Sequence, residues 1–281
     1  MYELYDKDSL REYRNTLKDQ NRRVALVPTM GALHEGHASL ITHAHTLADE
    51  VIVSIFLNPL QFGPNEDFKR YPKPLDDDKQ YCKDLAVSAL FLPSNDIIYP
   101  PDAVFTDVTV PSLSSLYCGQ SRPNFFSGVT NVVLRLLNLI NPDSVIFGEK
   151  DYQQYIIIKS CIESLFLSTK IYCSPIIRNQ QGLALSSRNR YLSNQDRHDA
   201  ASIFQSLCKV KDAVQSGILD ATELTSVLKK SLSPNITIDY IAFVDEKSLT
   251  PVPTIRSGNR VLFAGNLNQT RLIDTFELTF S

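Results

Sequence analysis

The side chains with the most evident chemistry fall in a few short segments. PTMGALHEGH, residues 28–37, sets His34 and His37 three positions apart around Gly36. Two imidazoles at that spacing can donate hydrogen bonds to a phosphate or move protons near neutral pH. Gly36 has no side chain to block a ligand's approach. A zinc site ranks low, because the HExxH spacing and a nearby third ligand are both missing. NPLQFGPNEDFKRYP, residues 58–72, offers Asn58 and Gln61, neutral groups that bond hydroxyls or amides without adding charge. FGEKDYQQ, residues 147–154, follows the turn residue Gly148 with Lys150, a point charge for phosphate, and Asp151, a helix cap or ribose acceptor. Gln153 and Gln154 point to different sides of the helix expected there, so only one should face a ligand. LALSSRNRYLS, residues 183–193, holds Ser186, Ser187, Arg188 and Arg190, and an Arg fork binds phosphate oxygens bidentately. The run Asp76, Asp77, Asp78 suits either a helix N-terminus or Mg2+ carried on nucleotide phosphates. Taken singly, each segment would pass for an ordinary turn.

The elements around these segments give them a common location. Apolar, β-branched runs at residues 22–28, 49–59, 88–94 and 169–177 read as strands. Residues 143–151 read as strand then turn, and 104–110 as a further strand. Helices are expected over 36–48, 76–86, 127–140 and 152–167. Such alternation argues for a parallel sheet with helices on both faces. Ligands of these sheets collect beyond the carboxyl ends of the strands, where the segments fall. A helix starting near Gly36 would aim unpaired N–H groups at an anion. After residue 177 the pattern changes to two amphipathic helices over 194–233, then strand-like runs over 235–275. The fold class is therefore α/β, a larger parallel-sheet domain over 1–176 and a smaller α+β domain over 177–281.

Composition limits the partners. The 281 residues carry 28 Lys plus Arg against 31 Asp plus Glu, a net charge of −3, which weighs against nucleic acid. With 43% hydrophobic residues the chain can bury a sizeable core. No run approaches a membrane span and the opening lacks a signal-peptide stretch, so no membrane partner is expected. The five cysteines are scattered, never paired as CxxC, which favours reduced thiols and a cytoplasmic location.

In combination, PTMGALHEGH, VSIFLNPLQFGPNEDFKRYP, FGEKDYQQ and GLALSSRNRYL resemble the signature segments of the pantothenate synthetase family, in the same order and with similar spacing. The resemblance runs from about Val24 to Leu192, with weaker matches at IDYIAFVD and RLID. PTMGALHEGH alone would mark only the wider HxGH nucleotidyltransferases. The resemblance implies a Rossmann-like domain, a C-terminal lid and a homodimer. It implies that ATP, pantoate and β-alanine give pantothenate, AMP and pyrophosphate with Mg2+, through a pantoyl-adenylate. On this chain it implies ATP contacts from Met30, Gly31, His34 and His37, with His37 as proton donor. It adds Gly148, Glu149, Lys150 and Asp151, then Ile177, Leu185, Ser186, Ser187 and Arg188. Catalysis would rest on His34, His37, Lys150 and Arg188. Gln61, Gln154 and Asn58 would hold pantoate or β-alanine, and Asp77 and Asp78 would match the Mg2+ positions. Three residues depart from the pattern: Phe125 stands where His is common, Leu185 where Met is usual, and Lys73 where Arg is common. Competing readings are another HxGH nucleotidyltransferase and an idle nucleotide binder that regulates a partner.

Overall fold

The computed structural model describes residues 1–64, 66–104 and 106–280. Six strands, β1 (Tyr2–Leu4), β2 (Val24–Thr29), β3 (Glu50–Ile55), β4 (Ala89–Phe91), β5 (Ser144–Gly148) and β6 (Lys170–Ser174), form one sheet. Their order is β1-β4-β3-β2-β5-β6, and every pairing is parallel. From β2 the chain builds outward to β3 and β4, then returns to lay β5 and β6 on the other side. The order reverses between β2 and β5, and that crevice is where such sheets bind ligands.

Alternation along the strands feeds two cores. Val24, Leu26, Ile52, Ala89 and Phe91 face one side. There they meet helices α1 (Lys7–Asp19), α7 (Phe125–Ile140) and α8 (Tyr152–Ser164), through residues such as Leu10, Val133 and Ile158. Ala25, Val27, Val51, Val53 and Leu90 face the other, against α2 (Glu35–Leu47) and α3 (Leu75–Asp84). Strands buried on both faces read as continuous apolar runs, which is why they stand out in the sequence. Three four-residue helices, α4 (Asn95–Ile98), α5 (Pro111–Ser114) and α6 (Cys118–Ser121), lie between β4 and α7.

A separate antiparallel sheet joins β7 (Ile236–Val244), β8 (Asn259–Leu267) and β9 (Thr270–Leu278) in that order. With α9 (Asn194–Gln215) and α10 (Ala221–Ser231) it closes another core around Leu207, Leu224, Leu228 and Phe263. Tyr152 and Ile156 of α8 pack on Val244, Leu249 and Leu262, joining the two sheets' surroundings.

One expected element is absent. Residues 104 and 106–110 form no strand, and Phe105 lies outside the described residues. The segment runs beside α7, where the Thr130 hydroxyl donates to the Val108 carbonyl and Ser127 donates to Asp107. Val108 and Val110 still pack on the core. Alternating Val and Thr give a strand only where a neighbouring strand completes the ladder, and here side chains of a helix satisfy the backbone instead.

Candidate active site

The segment after β2 is shaped by contacts from distant parts of the chain. Asp78, in the first turn of α3, accepts from the amides of Ala32 and Leu33 at 2.8 and 2.7 Å. The Ser187 hydroxyl donates to the Ala32 carbonyl at 2.9 Å. Helix α2 then opens on His34 as its N-cap. His34 Nδ1 accepts from the Gly36 amide at 3.1 Å, and His37 Nδ1 accepts from the His34 amide at 3.3 Å. A side chain at Gly36 would put its Cβ 2.8 Å from the His34 ring, so this cap demands glycine. The Gly36 amide, expected to be open for an anion, is thus capped by the histidine.

Burial pushes the His34 imidazole down to about 4, helped by the positive charges of Lys150 and Arg190. Burial likewise holds His37 well below the usual histidine range, with His34 and Lys150 adding to it. Both rings are therefore neutral at pH 7. A neutral imidazole that accepts at Nδ1 carries its proton on Nε2, so each has one N–H to offer a ligand.

These rings line a cavity of about 590 Å³ that spans the β2–β5 crevice and reaches β9. Met30 joins them from the same segment. Gly148, Glu149, Lys150 and Asp151 line it from the turn after β5, and Gln154 from α8. Ile177, Leu185, Ser186, Ser187 and Arg188 close another side, and Gln61 stands at the end of β3. Lys150 Nζ lies 3.3 Å from Asp151. Fourteen of the eighteen residues to which the resemblance gives a role thus share one space.

Four do not line it, and each has a structural setting of its own. Gly31 is buried in the turn behind Met30. Asn58, only 1% exposed, donates to Gln61 Oε1 and the Gly128 carbonyl and accepts from Tyr99 and Leu60. Its bond to Gln61 orients that side chain. Gln61 in turn donates to Met30 Sδ at 2.7 Å. Asp78 is buried under its two amide bonds, while Asp77 is exposed, so the pair does not present a joint metal site. Asp78 is reassigned as the clamp of the 30–33 turn. Both glutamines line the cavity, against the expectation that only one would. The Gln153 amide is committed to the backbone of Leu113, Leu116 and Cys118, which leaves the Gln154 amide open to a ligand.

Ion pairs at the rim went unseen in the sequence. Arg188 is bidentate on Asp67, at 2.8 and 2.9 Å, so part of the fork expected for phosphate is already engaged. Arg122 holds Glu66 at 2.6 Å and stacks 3.6 Å from the Phe125 ring centroid. Arg178 is bidentate on buried Asp274, and Arg271 pairs with Asp239 at 2.7 Å. Arg260 reaches Glu149 at 2.9 Å. Their partners lie up to 121 residues away, a distance no local pattern reports.

A sequence profile of the pantoate-beta-alanine ligase family matches residues 4–277. The chain belongs to that family. A pantothenate synthetase of Clostridium botulinum is 41% identical over 92% of each chain. That of Thermosipho africanus is 40% identical over 95% of this chain and 96% of its own. A bifunctional pantoate ligase/cytidylate kinase of Thermosynechococcus vestitus is 45% identical over 89% of this chain, and the match spans 50% of that relative's length. Among solved structures, pantothenate synthetase of Thermus thermophilus superposes over the whole of both chains with TM-score 0.94 at 35% identity. Pantoate-beta-alanine ligase of Francisella tularensis, complexed with beta-gamma ATP and beta-alanine, matches over 100% of this chain and 99% of its own, with TM-score 0.83 and 35% identity.

The ligase's own donors decide how a metal could be held. Among the described residues no group of three or more His, Cys, Asp or Glu could hold an ion. Cavity carboxylates Glu66, Asp67, Glu149, Asp239 and Asp274 each face an arginine. The residues do not fit a resident metal.

Proposed function

We propose that this ligase runs both half-reactions of pantothenate formation in the one cavity. In the first, a carboxylate oxygen of pantoate attacks the α-phosphorus of ATP. The bond from that phosphorus to the bridging oxygen breaks, and pyrophosphate leaves. In the second, the unprotonated amine of β-alanine attacks the acyl carbon of the adenylate. The acyl C–O bond breaks, AMP departs, and the amine's surplus proton passes to solvent. No covalent enzyme nucleophile is required.

The observation that carries this reading is the meeting of two neutral, Nε2-protonated imidazoles and Lys150 with the uncharged Gln61 and Gln154. An anion must approach a polyanion in the first step, and fixed positive groups in a cavity offset that repulsion most effectively. Lys150 and Arg188 meet the phosphates, while His34 and His37 donate hydrogen bonds to them. Bound phosphates, being anionic, shift both rings back toward the charged form. His37 can then hand a proton to departing pyrophosphate. Gln61 and Gln154 hold pantoate's hydroxyl and carboxylate groups without adding charge. Mg2+ enters on the nucleotide, as a counter-ion of the substrate.

Residues 177–281 would act as the lid of the 1–176 domain, keeping water from the hydrolysable adenylate. Arg188 to Asp67 and Arg178 to Asp274 are ion pairs beside the cavity, and the first of them would hold the lid to the larger domain. A homodimer in the cytoplasm completes the reading, and light scattering checks the dimer.

Isotope exchange between pyrophosphate and ATP tests the chemistry. Exchange should require pantoate but not β-alanine, and β-alanine should then release AMP. His37→Ala and Lys150→Ala should each slow exchange by roughly 10²–10⁴-fold with melting still cooperative. Exchange indifferent to pantoate, or near-normal rates in both variants, would overturn it.

A further inference from the structure

Lys150 stands between two carboxylates in the chain, Glu149 and Asp151. Asp151 lies 3.3 Å from its ammonium. Glu149 is drawn elsewhere, to Arg260 of β8, with 2.9 Å between Oε1 and Nη1. The Arg260 side chain is only 4% exposed. Its guanidinium lies 4.0 Å from the ring centroid of Tyr152, the first residue of α8. Nη1 also reaches the Thr275 hydroxyl at 3.4 Å, and Nη2 lies 3.5 Å from Glu277. Nε is buried without a partner among the described residues.

A buried guanidinium with an unsatisfied N–H is a costly occupant of a strand position. An apolar side chain of similar length would fill the same space against Tyr152 more cheaply. A cation here also faces the Tyr152 ring and Glu277, but its closest charged partner, at 2.9 Å, is Glu149. Without the cation, that carboxylate would be released beside the ammonium that the triphosphate needs. It would compete for Lys150 and also repel the phosphates directly.

We propose that Arg260 is a positioning residue for adenylation: by holding Glu149 it keeps Lys150 available to the triphosphate of ATP. The proposal rests on the assignment of Lys150 to phosphate made above. It connects β8 of the antiparallel sheet to the nucleotide turn of the parallel one. Arg260 touches no substrate, so its effect must pass through Glu149.

The two half-reactions separate this role from a merely structural one. In pantoate-dependent exchange, Arg260→Met should raise the KM for ATP by about tenfold, with a smaller change in kcat. Adding Glu149→Gln to Arg260→Met should restore at least half of that loss on a logarithmic scale. AMP release by β-alanine from preformed pantoyl-adenylate needs no triphosphate, and should stay within about twofold of the unmodified chain. Equal damage to both half-reactions, or no recovery in the cooperatively melting double variant, overturns the proposal. An unchanged KM in Arg260→Met does so as well. Should Arg260→Met fail to fold, Arg260→Lys gives the same comparison at smaller amplitude. Its shorter cation weakens the pair, so KM for ATP should rise about threefold and return with Glu149→Gln; no rise is fatal. Absence of pantoate-driven exchange in the unmodified chain would instead defeat the reading of the cavity, leaving the two failures distinct.

Discussion

His34 divides its ring between two directions: Nδ1 caps α2, and Nε2–H is left free of that cap. That division makes its protonation a stability matter. The ordinary histidine value is 6.5, and burial lowers it to about 4 in the folded chain. A depressed folded value means the unfolded chain binds the proton first. The contribution is complete above 6.5, erodes as pH falls, and is gone once pH passes below 4. Through this window the slope approaches about 1.4 kcal/mol per pH unit. In nucleotide-free protein, the stability gap between the natural chain and His34→Asn should therefore narrow between pH 7 and pH 5. Urea titrations at the two pH values check this, and an unchanged gap would refute the neutral cap. At this scale local spacing after a strand was enough to bring His34, His37, Lys150 and Gln61 to one cavity. The sequence read Asn58 as a substrate contact and Asp78 as a Mg2+ position, because each residue type suits a ligand as well as a backbone group. Only the fold decides which of the two is in reach.

Helix α7 positions Gln61 by coming unusually close to it. A Cβ on Gly128 would lie 2.3 Å from the Leu60 carbonyl oxygen and 2.8 Å from the Gln61 amide nitrogen. The Gly128 carbonyl accepts from Asn58, which in turn fixes Gln61. Gly128→Ala should thus push α7 away from the 58–61 segment, costing about 1–3 kcal/mol of stability. It should raise KM for pantoate more than KM for ATP, because the turn after β5, proposed above for the nucleotide, lies elsewhere. Steady-state kinetics with each substrate varied would detect an equal rise, which would contradict this account. The βα alternation that frames these contacts was readable because doubly buried strands make dense apolar runs. Strand β1 and the four-residue helices were not, since three or four residues are too few to express a period. The 104–110 segment misled for the opposite reason: its alternation was present but its ladder partner was not.

A chain of net charge −3 handles a polyanion by neutralising its own acids around the cavity. Glu66, Asp67, Glu149, Asp239 and Asp274 stand within 2.6 to 2.9 Å of an arginine, each recruited from another segment. Those pairs do more than tie segments together, because they remove the carboxylates from two competing tasks. A neutralised acid no longer repels triphosphate, and it no longer coordinates a cation. Any Mg2+ drawn to Asp67 or Glu149 would have to displace a guanidinium held at hydrogen-bond distance. The remaining acid, Asp151, faces Lys150 and stands too isolated to satisfy an ion that prefers six oxygen ligands. Calorimetric titration of nucleotide-free protein with Mg2+ should therefore give no saturable heat at low millimolar concentration, and EDTA should leave its Tm unchanged. Once ATP is present the metal should matter: at about 100 times its Kd, bound nucleotide adds about 2.7 kcal/mol of stability, and chelation should abolish most of it. Stoichiometric Mg2+ binding without nucleotide would mean that at least one of these pairs opens readily, and would return Asp77 and its neighbours to consideration. The pairing of acids with arginines across distant segments thus links the low net charge, the lack of a metal cluster among the described residues and the proposed entry of Mg2+ with its substrate.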